Sequence, residues 1–306
     1  MKERVINLCR TDSPMRNSDV ELSVVVPCLN GAKHIGTQLM ALAKQDWSEP
    51  WEVVVSDNGS TDGSQKIIEQ HRDILPQLRL VDSSDRRGQA HALNVGIQAA
   101  YSEALAFCDC DDEIAPGWVR AMGEALCRYD FVAGPFDTTK LNPQWVYISR
   151  GDCQKDGLNK YRYPPYLSHA GSGNMGVRRS IHEAVGGFDE SMPGLLDTDY
   201  CFRMQLGGTE LHFVQDALLY VRYPETFRGI YRQARHYGKY NVVLYKKYRP
   251  KGMPRLSRKA GVRAWVLLFK KLRHIHDKSS WVSWVWQFSW RLGRLEASIQ
   301  HRTFAL

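Results

Sequence analysis

The chain has 306 residues, 43% hydrophobic and 24% charged, with a net charge of +8. That composition excludes a disordered or fibrous chain and suits one large domain, or one domain with an appendage. The seven cysteines form no CxxC pair, no run reaches 18 apolar residues, and the first 20 residues carry Lys2, Arg4, Arg10 and Arg16 with few apolar neighbours; reduced thiols, no transmembrane helix, no signal peptide and a cytoplasmic setting are expected.

From residue 21 the pattern alternates. LSVVVP at 22–27 reads as a buried strand closed by Pro27, and 34–46 has helical spacing. WEVVVSD at 51–57 is a second strand, ending on Asp57. NGSTDGS at 58–64 is a turn into a helix over 64–73, with Ser60 or Thr61 able to cap it. LRLVDS at 78–83, a helix over 88–100 and the strand ALAFCD at 104–109 follow. Such alternation predicts an α/β fold with parallel strands and crossover helices. Ligands of such sheets bind beyond the carboxyl ends of the strands, so Asp57 and the Asp109–Asp112 cluster should meet in one crevice.

In LAFCDCDDEIAPGW an apolar run ends on Asp109, Cys110, Asp111 and Asp112. Crowded carboxylates at a strand end repel one another, and a hard divalent cation would reverse that cost. No GxGxxG or GxxxxGK[ST] is present, which argues against a dinucleotide site or a P-loop. An acidic crevice with a cation suits a nucleotide diphosphate, and Asp57 can accept hydrogen bonds from a base or ribose.

Four segments in order, SVVVPCLNGAKHIG, VVVSDNGSTDGS, FCDCDDEIAPGW and GNMGVRRSIHEAVGGFDESMPGLLDTDYCFRMQLGG, resemble family-2 glycosyltransferases of the GT-A fold over residues 21–215. The resemblance implies a nucleotide-diphosphate sugar donor, most commonly a UDP-sugar, a divalent cation (Mn2+ or Mg2+) and inversion by a single displacement. It assigns Asp57, Asp109, Cys110 and Asp111 to the donor side; Pro27 and Asn30, and Arg87 near the third strand's end, are further donor-side candidates. Asp109, Cys110 and Asp111 match the family's DxD. Asp111 would bind the cation, with Asp112. GLLDTDY matches the segment of the general base, which falls on Asp197, with Asp199 or Asp189 as alternatives. Leu196 stands where the family usually has Glu, so acceptor handling departs from the pattern; Leu196, His169 and Asp199 are acceptor-side candidates. Ser56 replaces a further acidic residue. YRQARHYGKY at 231–240 only weakly resembles the QxxRW of processive synthases, with His236 and Tyr237 in place of Arg and Trp, which favours single addition over polymerisation.

Residues 134–170, with Trp145, Tyr147, Tyr161, Tyr163 and Tyr166, are expected to line the acceptor side, partly as a mobile loop. The tail differs in charge: residues 221–306 hold 20 Lys/Arg and 3 Asp/Glu, against 21 and 30 in the remainder. Trp281, Trp284, Phe288, Leu292 and Leu295 share one helical stripe with basic residues elsewhere, which suits either a helix in an anionic bilayer's interface or packing on the body. The expected organisation is an extension over 1–20, a GT-A domain over 21–222 and a basic, Trp-rich helical region over 223–306. The expected partners are a nucleotide-diphosphate sugar, a saccharide or lipid-linked acceptor, and the inner face of a membrane; no nucleic-acid module is legible. The rival readings are a sugar nucleotidyltransferase and a non-catalytic scaffold of the same fold.

Overall fold

The computed structural model describes residues 20–151 and 153–305; the extension expected over 1–20 lies, but for Val20, outside them. The first half alternates as the sequence predicts: β1 (Leu22–Cys28), α1 (Ile35–Ala43), β2 (Trp51–Asp57), α2 (Ser64–Gln70), β3 (Leu78–Asp82), α3 (Gln89–Ala99) and β4 (Ala104–Phe107). Shorter pieces follow: β5 (Glu113–Ile114), α4 (Trp118–Leu126), β6 (Phe131–Ala133), β7 (Phe136–Asp137), α5 (Gln144–Arg150), β8 (Asn159–Arg162), β9 (Pro165–His169), β10 (Met175–Arg178), α6 (Arg179–Ala184), α7 (Leu196–Leu206), β11 (His212–Phe213) and β12 (Leu219–Tyr220). The chain then becomes helical: α8 (Phe227–Tyr248), α9 (Arg258–Lys270) and α10 (Lys278–Gln300).

The main sheet runs β11-β6-β10-β4-β1-β2-β3. β1 pairs in parallel with β2 and β4, β2 with β3, and β6 with β11, while β10 runs antiparallel between β4 and β6. Val24 and Val26 of β1 point into one core and Val25 into the other, as do Val53 and Val55 against Val54 in β2. Burial on both faces explains why these strands read as unbroken apolar runs. The order reverses between β1 and β4, which is where such sheets open a ligand crevice. Pro27 sits beyond the last β1–β4 pair, Val25 with Phe107, so its missing N–H costs no bond on that side.

Local expectations shift in two places. The fourth strand ends at Phe107, not Asp109, because the 109–112 segment turns away into the small sheet β5-β12-β7. α2 starts at Ser64 behind Gly63, and neither Ser60 nor Thr61 caps it. Instead the Asn30 amide donates to Ser60 Oγ at 2.8 Å and the Thr61 amide donates to Asn30 Oδ1 at 2.9 Å, tying the loop after β1 to the loop after β2.

The C-terminal helices share a core with the body, in which Tyr161, Met192 and Phe202 pack with Val242, Tyr245 and Tyr248. α8 and α10 cross so closely that a Cβ at Gly238 would lie 2.0 Å from the Trp290 carbonyl oxygen, and one at Gly293 2.0 Å from that of Arg235. The Trp stripe of α10 is not that contact. It faces α9 instead: Trp284 Nε1 donates to the Leu268 carbonyl at 2.9 Å, and Phe288 meets Trp265 edge-on. α9 itself buries only Gly261 and Leu268 and leaves Val262, Val266 and Phe269 exposed. No helix among the described residues is long and apolar enough to cross a membrane.

Candidate active site

Two cavities meet beyond the carboxyl ends of β1 and β4. The first, about 480 Å³, is lined by Pro27, Asn30, Asn58, Asp109, Asp111 and Arg222 among others. The second, about 330 Å³, is lined by Arg150, His169, Gly171, Gly173, Leu196 and Asp197 among others. Gln89, Asp109, Asp112, Val221, Tyr223 and Tyr237 wall both, so the two form one cleft with the acidic cluster at its waist.

The acidic segment is held from three sides. Gln38 of α1 donates to the Asp109 carbonyl at 3.1 Å and accepts from the Ile114 amide at 3.0 Å. Gln89, opening α3, donates to Asp109 Oδ1 at 3.0 Å. Arg222, after β12, gives its amide to Asp112 Oδ1 at 2.7 Å and its Nε to the Asp111 carbonyl at 3.0 Å. These bonds do not neutralise the charge. Burial, then the negative charges of Asp111 and Asp197, push Asp109 up to about 7; burial and its two acidic neighbours raise Asp112 well above the carboxylate range.

Asp197 lies in the first turn of α7. Thr198 holds its Oδ1, donating from the amide at 2.7 Å. Burial raises its pKa, with the Thr198 bonds pulling the other way, which makes it a stronger base than an open carboxylate. It reaches the cluster across the loop before β10. A Cβ at Gly173 would lie 2.8 Å from Asp109 Oδ2, and one at Gly171 3.9 Å from Asp197 Oδ2. Glycine at 173 thus makes room for the Asp109 carboxylate, whereas at Gly171 the close neighbour is the Phe136 ring, 2.9 Å from such a Cβ.

The donor-side residues split. Pro27, Asn30, Asp109, Cys110 and Asp111 line the first cavity as expected. Asp57 does not: it is 1% exposed, and its carboxylate receives the Ser60 amide at 3.2 Å and Gln65 Nε2 at 2.7 Å. It orders the turn behind the cavity wall, where Asn58 takes the lining place. Arg87 lies outside the cavity as well, donating to the Asn58 carbonyl at 3.0 Å. On the acceptor side His169 and Leu196 line the second cavity, and burial drops His169 to about 4, so it is neutral at pH 7. Asp199 corrects the expectation. It is fully buried and bound by Arg203 at 2.9 Å, Lys247 at 2.6 Å and the Tyr248 hydroxyl at 2.8 Å, so it joins α7 to α8 and faces no cavity. Asp189 accepts from Ser191 and pairs with Lys247, a turn residue. His91 is likewise structural, held between Asp85 and Glu190.

Further cavity residues were not singled out as site groups by sequence. Arg150 stacks 3.1 Å over Trp286, and its Nη1 is buried without a partner. Tyr223 shares the walls of both cavities, and Gln233 lines the first. Tyr237, at the Trp position of the weak QxxRW likeness, also walls both cavities, and burial and the charge of Asp197 raise it to about 12.

Among the described residues no three His, Cys, Asp or Glu side chains already converge as a metal cage. Mg2+ and its like, however, usually take one or two carboxylates and complete their shell with substrate phosphates and water. Asp109, Asp111 and Asp112 are hard oxygen donors under uncompensated repulsion, and that fits such an ion.

The profile of Glycosyl transferase family 2 matches residues 23–186. The uncharacterized glycosyltransferase YibD of Escherichia coli K12 is 29% identical over 138 residues, 45% of this chain and 38% of that protein. Glycosyltransferase AglE of Haloferax volcanii is 26% identical over 205 residues, 64% of this chain and 65% of that one. The chain thus spans less than two thirds of either relative. Among solved structures, the mannosyltransferase PcManGT of Pyrobaculum calidifontis, in complex with GDP-Man and Mn2+, superposes with a TM-score of 0.60 at 18% identity, covering 93% of this chain and 90% of that one. S. aureus TarS 1-349 in complex with UDP-GlcNAc does so with a TM-score of 0.53 at 17% identity, covering 93% of each.

Proposed function

Because the chain belongs to glycosyl transferase family 2, we propose that it moves a sugar from a nucleotide diphosphate to an acceptor hydroxyl with inversion at the anomeric carbon. One observation carries the reading: Asp197 and Asp109 flank a single glycine loop at the waist of a two-chambered cleft. The first chamber suits the nucleotide diphosphate, with Pro27, Asn30 and Asn58 at its far end. The second suits the acceptor. Neighbours of the same fold carry GDP-Man and Mn2+ in one case and UDP-GlcNAc in another, which supports a nucleotide-sugar donor and leaves UDP the first base to test.

In the transfer, the acceptor oxygen attacks the anomeric carbon as its proton passes to the Asp197 carboxylate. The bond from that carbon to the diphosphate oxygen breaks, and its electron pair leaves with the nucleoside diphosphate. Asp111 and Asp112, with Asp109, would hold a divalent cation, which when bound stabilises the charge of the departing diphosphate. Thr198 fixes Asp197 Oδ1 and so aims the carboxylate. Tyr237 and Tyr223 wall the waist on the side of both chambers. We place the acceptor among saccharides, free or lipid-linked, of a cell-surface glycan, with the protein working at the inner face of a membrane.

The test is donor hydrolysis and binding across UDP-, GDP- and dTDP-sugars, with and without Mn2+. Slow cation-dependent hydrolysis of one donor is expected. Failure of every nucleotide to bind under any metal would overturn the catalytic reading in favour of a scaffold.

A further inference from the structure

The acceptor chamber does not end at Asp197. His169, Leu195, Thr198 and Tyr237 also wall a third cavity of about 480 Å³ that runs on to Tyr163, Trp286, Trp290 and Arg291. Arg162, Tyr163, Trp290 and Arg291 in turn wall a fourth, about 340 Å³, bounded by Pro164, Pro165, Leu256, Ala260, Ala264 and Trp265. A continuous path thus leads from the base to an apolar pocket under α9, whose other side exposes Val262, Val266 and Phe269.

The junction of the last two cavities is basic, and among the described residues no carboxylate side chain lines it. Arg162 and Arg291 line both, and Arg294 lines the apolar one. Arg294 is 2% exposed, yet its Nη2 has no partner. Its Nε donates to the Ala305 carbonyl at 2.8 Å, and its guanidinium stacks 4.6 Å over Trp290. The charges acting on it are Arg291 and the hydroxyls of Tyr161, Tyr163 and Tyr245, and burial drives its pKa down to about 10. A buried guanidinium with a donor that has no partner, and with no carboxylate side chain in the lining of either cavity among the described residues, is costly, and an anion at the junction would remove that cost.

We propose that the acceptor is a phosphate-bearing amphiphile: its phosphate sits at Arg162, Arg291 and Arg294, its hydrocarbon chain enters the pocket beneath α9, and its sugar end lies toward Asp197. This rests on the glycosyltransferase reading above and names the acceptor's class. Aromatic faces along the third cavity suit a saccharide, the guanidinium cluster suits a phosphate, and the apolar pocket suits methylenes, in that order along the path. The exposed apolar face of α9 gives the chain a route from a lipid surface.

Dodecyl phosphate titrated into the full-length chain tests it, read by tryptophan fluorescence because Trp265 and Trp290 wall the pocket. Saturable binding is expected, with octyl phosphate at least ~10-fold weaker from the loss of buried methylenes. Arg291→Gln should weaken it ~10-fold by removing a charged donor, and Ala264→Phe should do so by filling the pocket, while Arg273→Gln, exposed on the segment after α9, should leave it unchanged. Inorganic phosphate should not compete, and dodecyl maltoside should bind at least ~10-fold more weakly. Competition by inorganic phosphate alone would reduce the junction to a site for free anions and overturn the proposal. Equal binding of dodecyl maltoside, or no effect of Arg291→Gln, would overturn the phosphate contact. Donor hydrolysis on the same preparation separates the two readings: intact hydrolysis without dodecyl phosphate binding rejects this acceptor alone, whereas loss of nucleotide binding rejects the transferase.

Discussion

Asp197 and Asp109 sit on either side of one loop, and the proposed transfer gives them opposite duties, one to take a proton and one to stay ionised beside a diphosphate. Replacing Asp197 with Asn keeps the shape and the Thr198 contact but removes the proton acceptor. Transfer should fall by ~10²–10⁴-fold while nucleotide-sugar affinity, measured by calorimetry, stays within a few fold. Asp109 makes a second prediction. Its folded pKa, about 7, lies above the ordinary 3.8, so the ionised form is the destabilised one. Below about pH 4 both folded and unfolded chains hold the proton and no cost exists; the cost grows as pH rises through 4 to 7 and is full above 7. Asp109→Asn should therefore stabilise the cation-free protein by roughly 1–2 kcal/mol at pH 8, a few degrees in a thermal scan, with the gain vanishing near pH 4. The same variant should lose cation-dependent turnover. At this scale the position of a residue was legible where a motif sets it after a strand or at a helix start: Asp109, Asp111 and Asp197 line the cleft. The sequence misled at Asp57 and Asp199, which are acidic and near the site but already bound by Gln65 or by Lys247 and Arg203. A sequence does not show which carboxylates have partners.

The strands and helices of the first half were readable because parallel strands are apolar on both faces and punctuated by Asn, Gly and Asp. The middle was not, since β5, β7, β11 and β12 are two residues each, too short for any period to register. α10 was legible as a helix, and its stripe packs within the chain, one of the two outcomes left open, but its tightest contact, with α8, was not legible. Its Trp284 and Phe288 meet α9, while Gly293, Ser289 and Ala297 are buried, and small residues leave no hydrophobic stripe to see. Close approach there is the basis of a third prediction. Gly293→Val would place a side chain against the Arg235 carbonyl, forcing α8 and α10 apart and costing about 2–4 kcal/mol in urea unfolding. Because α8 carries Tyr237 and α10 carries Trp286 under Arg150, the acceptor KM should rise as well, with donor hydrolysis less affected.

Taken whole, the molecule is a carboxylate-rich body with a cationic cap, 20 Lys/Arg to 3 Asp/Glu from residue 221 onward. Co-sedimentation with phosphatidylglycerol vesicles should exceed that with phosphatidylcholine vesicles and fall steeply between 0.1 and 0.5 M salt, as screening requires. Val262→Asp with Val266→Asp on α9 should reduce it further at low salt. Binding indifferent to salt and to those substitutions would detach the cap from any lipid surface. The charge split was plain in the sequence; that the cap also walls the cleft was not, because nothing in a linear pattern joins Tyr237 and Trp286 to Asp197.

That shared wall has an evolutionary consequence. The proposed donor chamber draws on the loops after β1, β2, β4 and β12 with a few residues of α3 and α8, whereas the proposed path for the acceptor is walled in part by Trp286, Trp290 and Arg291 of α10. On the proposed reading, substitutions in α10, which lines none of the donor chamber, would retarget the protein to a new recipient without touching the nucleotide, so the two specificities would be free to drift on separate clocks. The inverse experiment is also defined: grafting a foreign body onto α10 should carry the recipient along with that helix and the activated sugar along with the body.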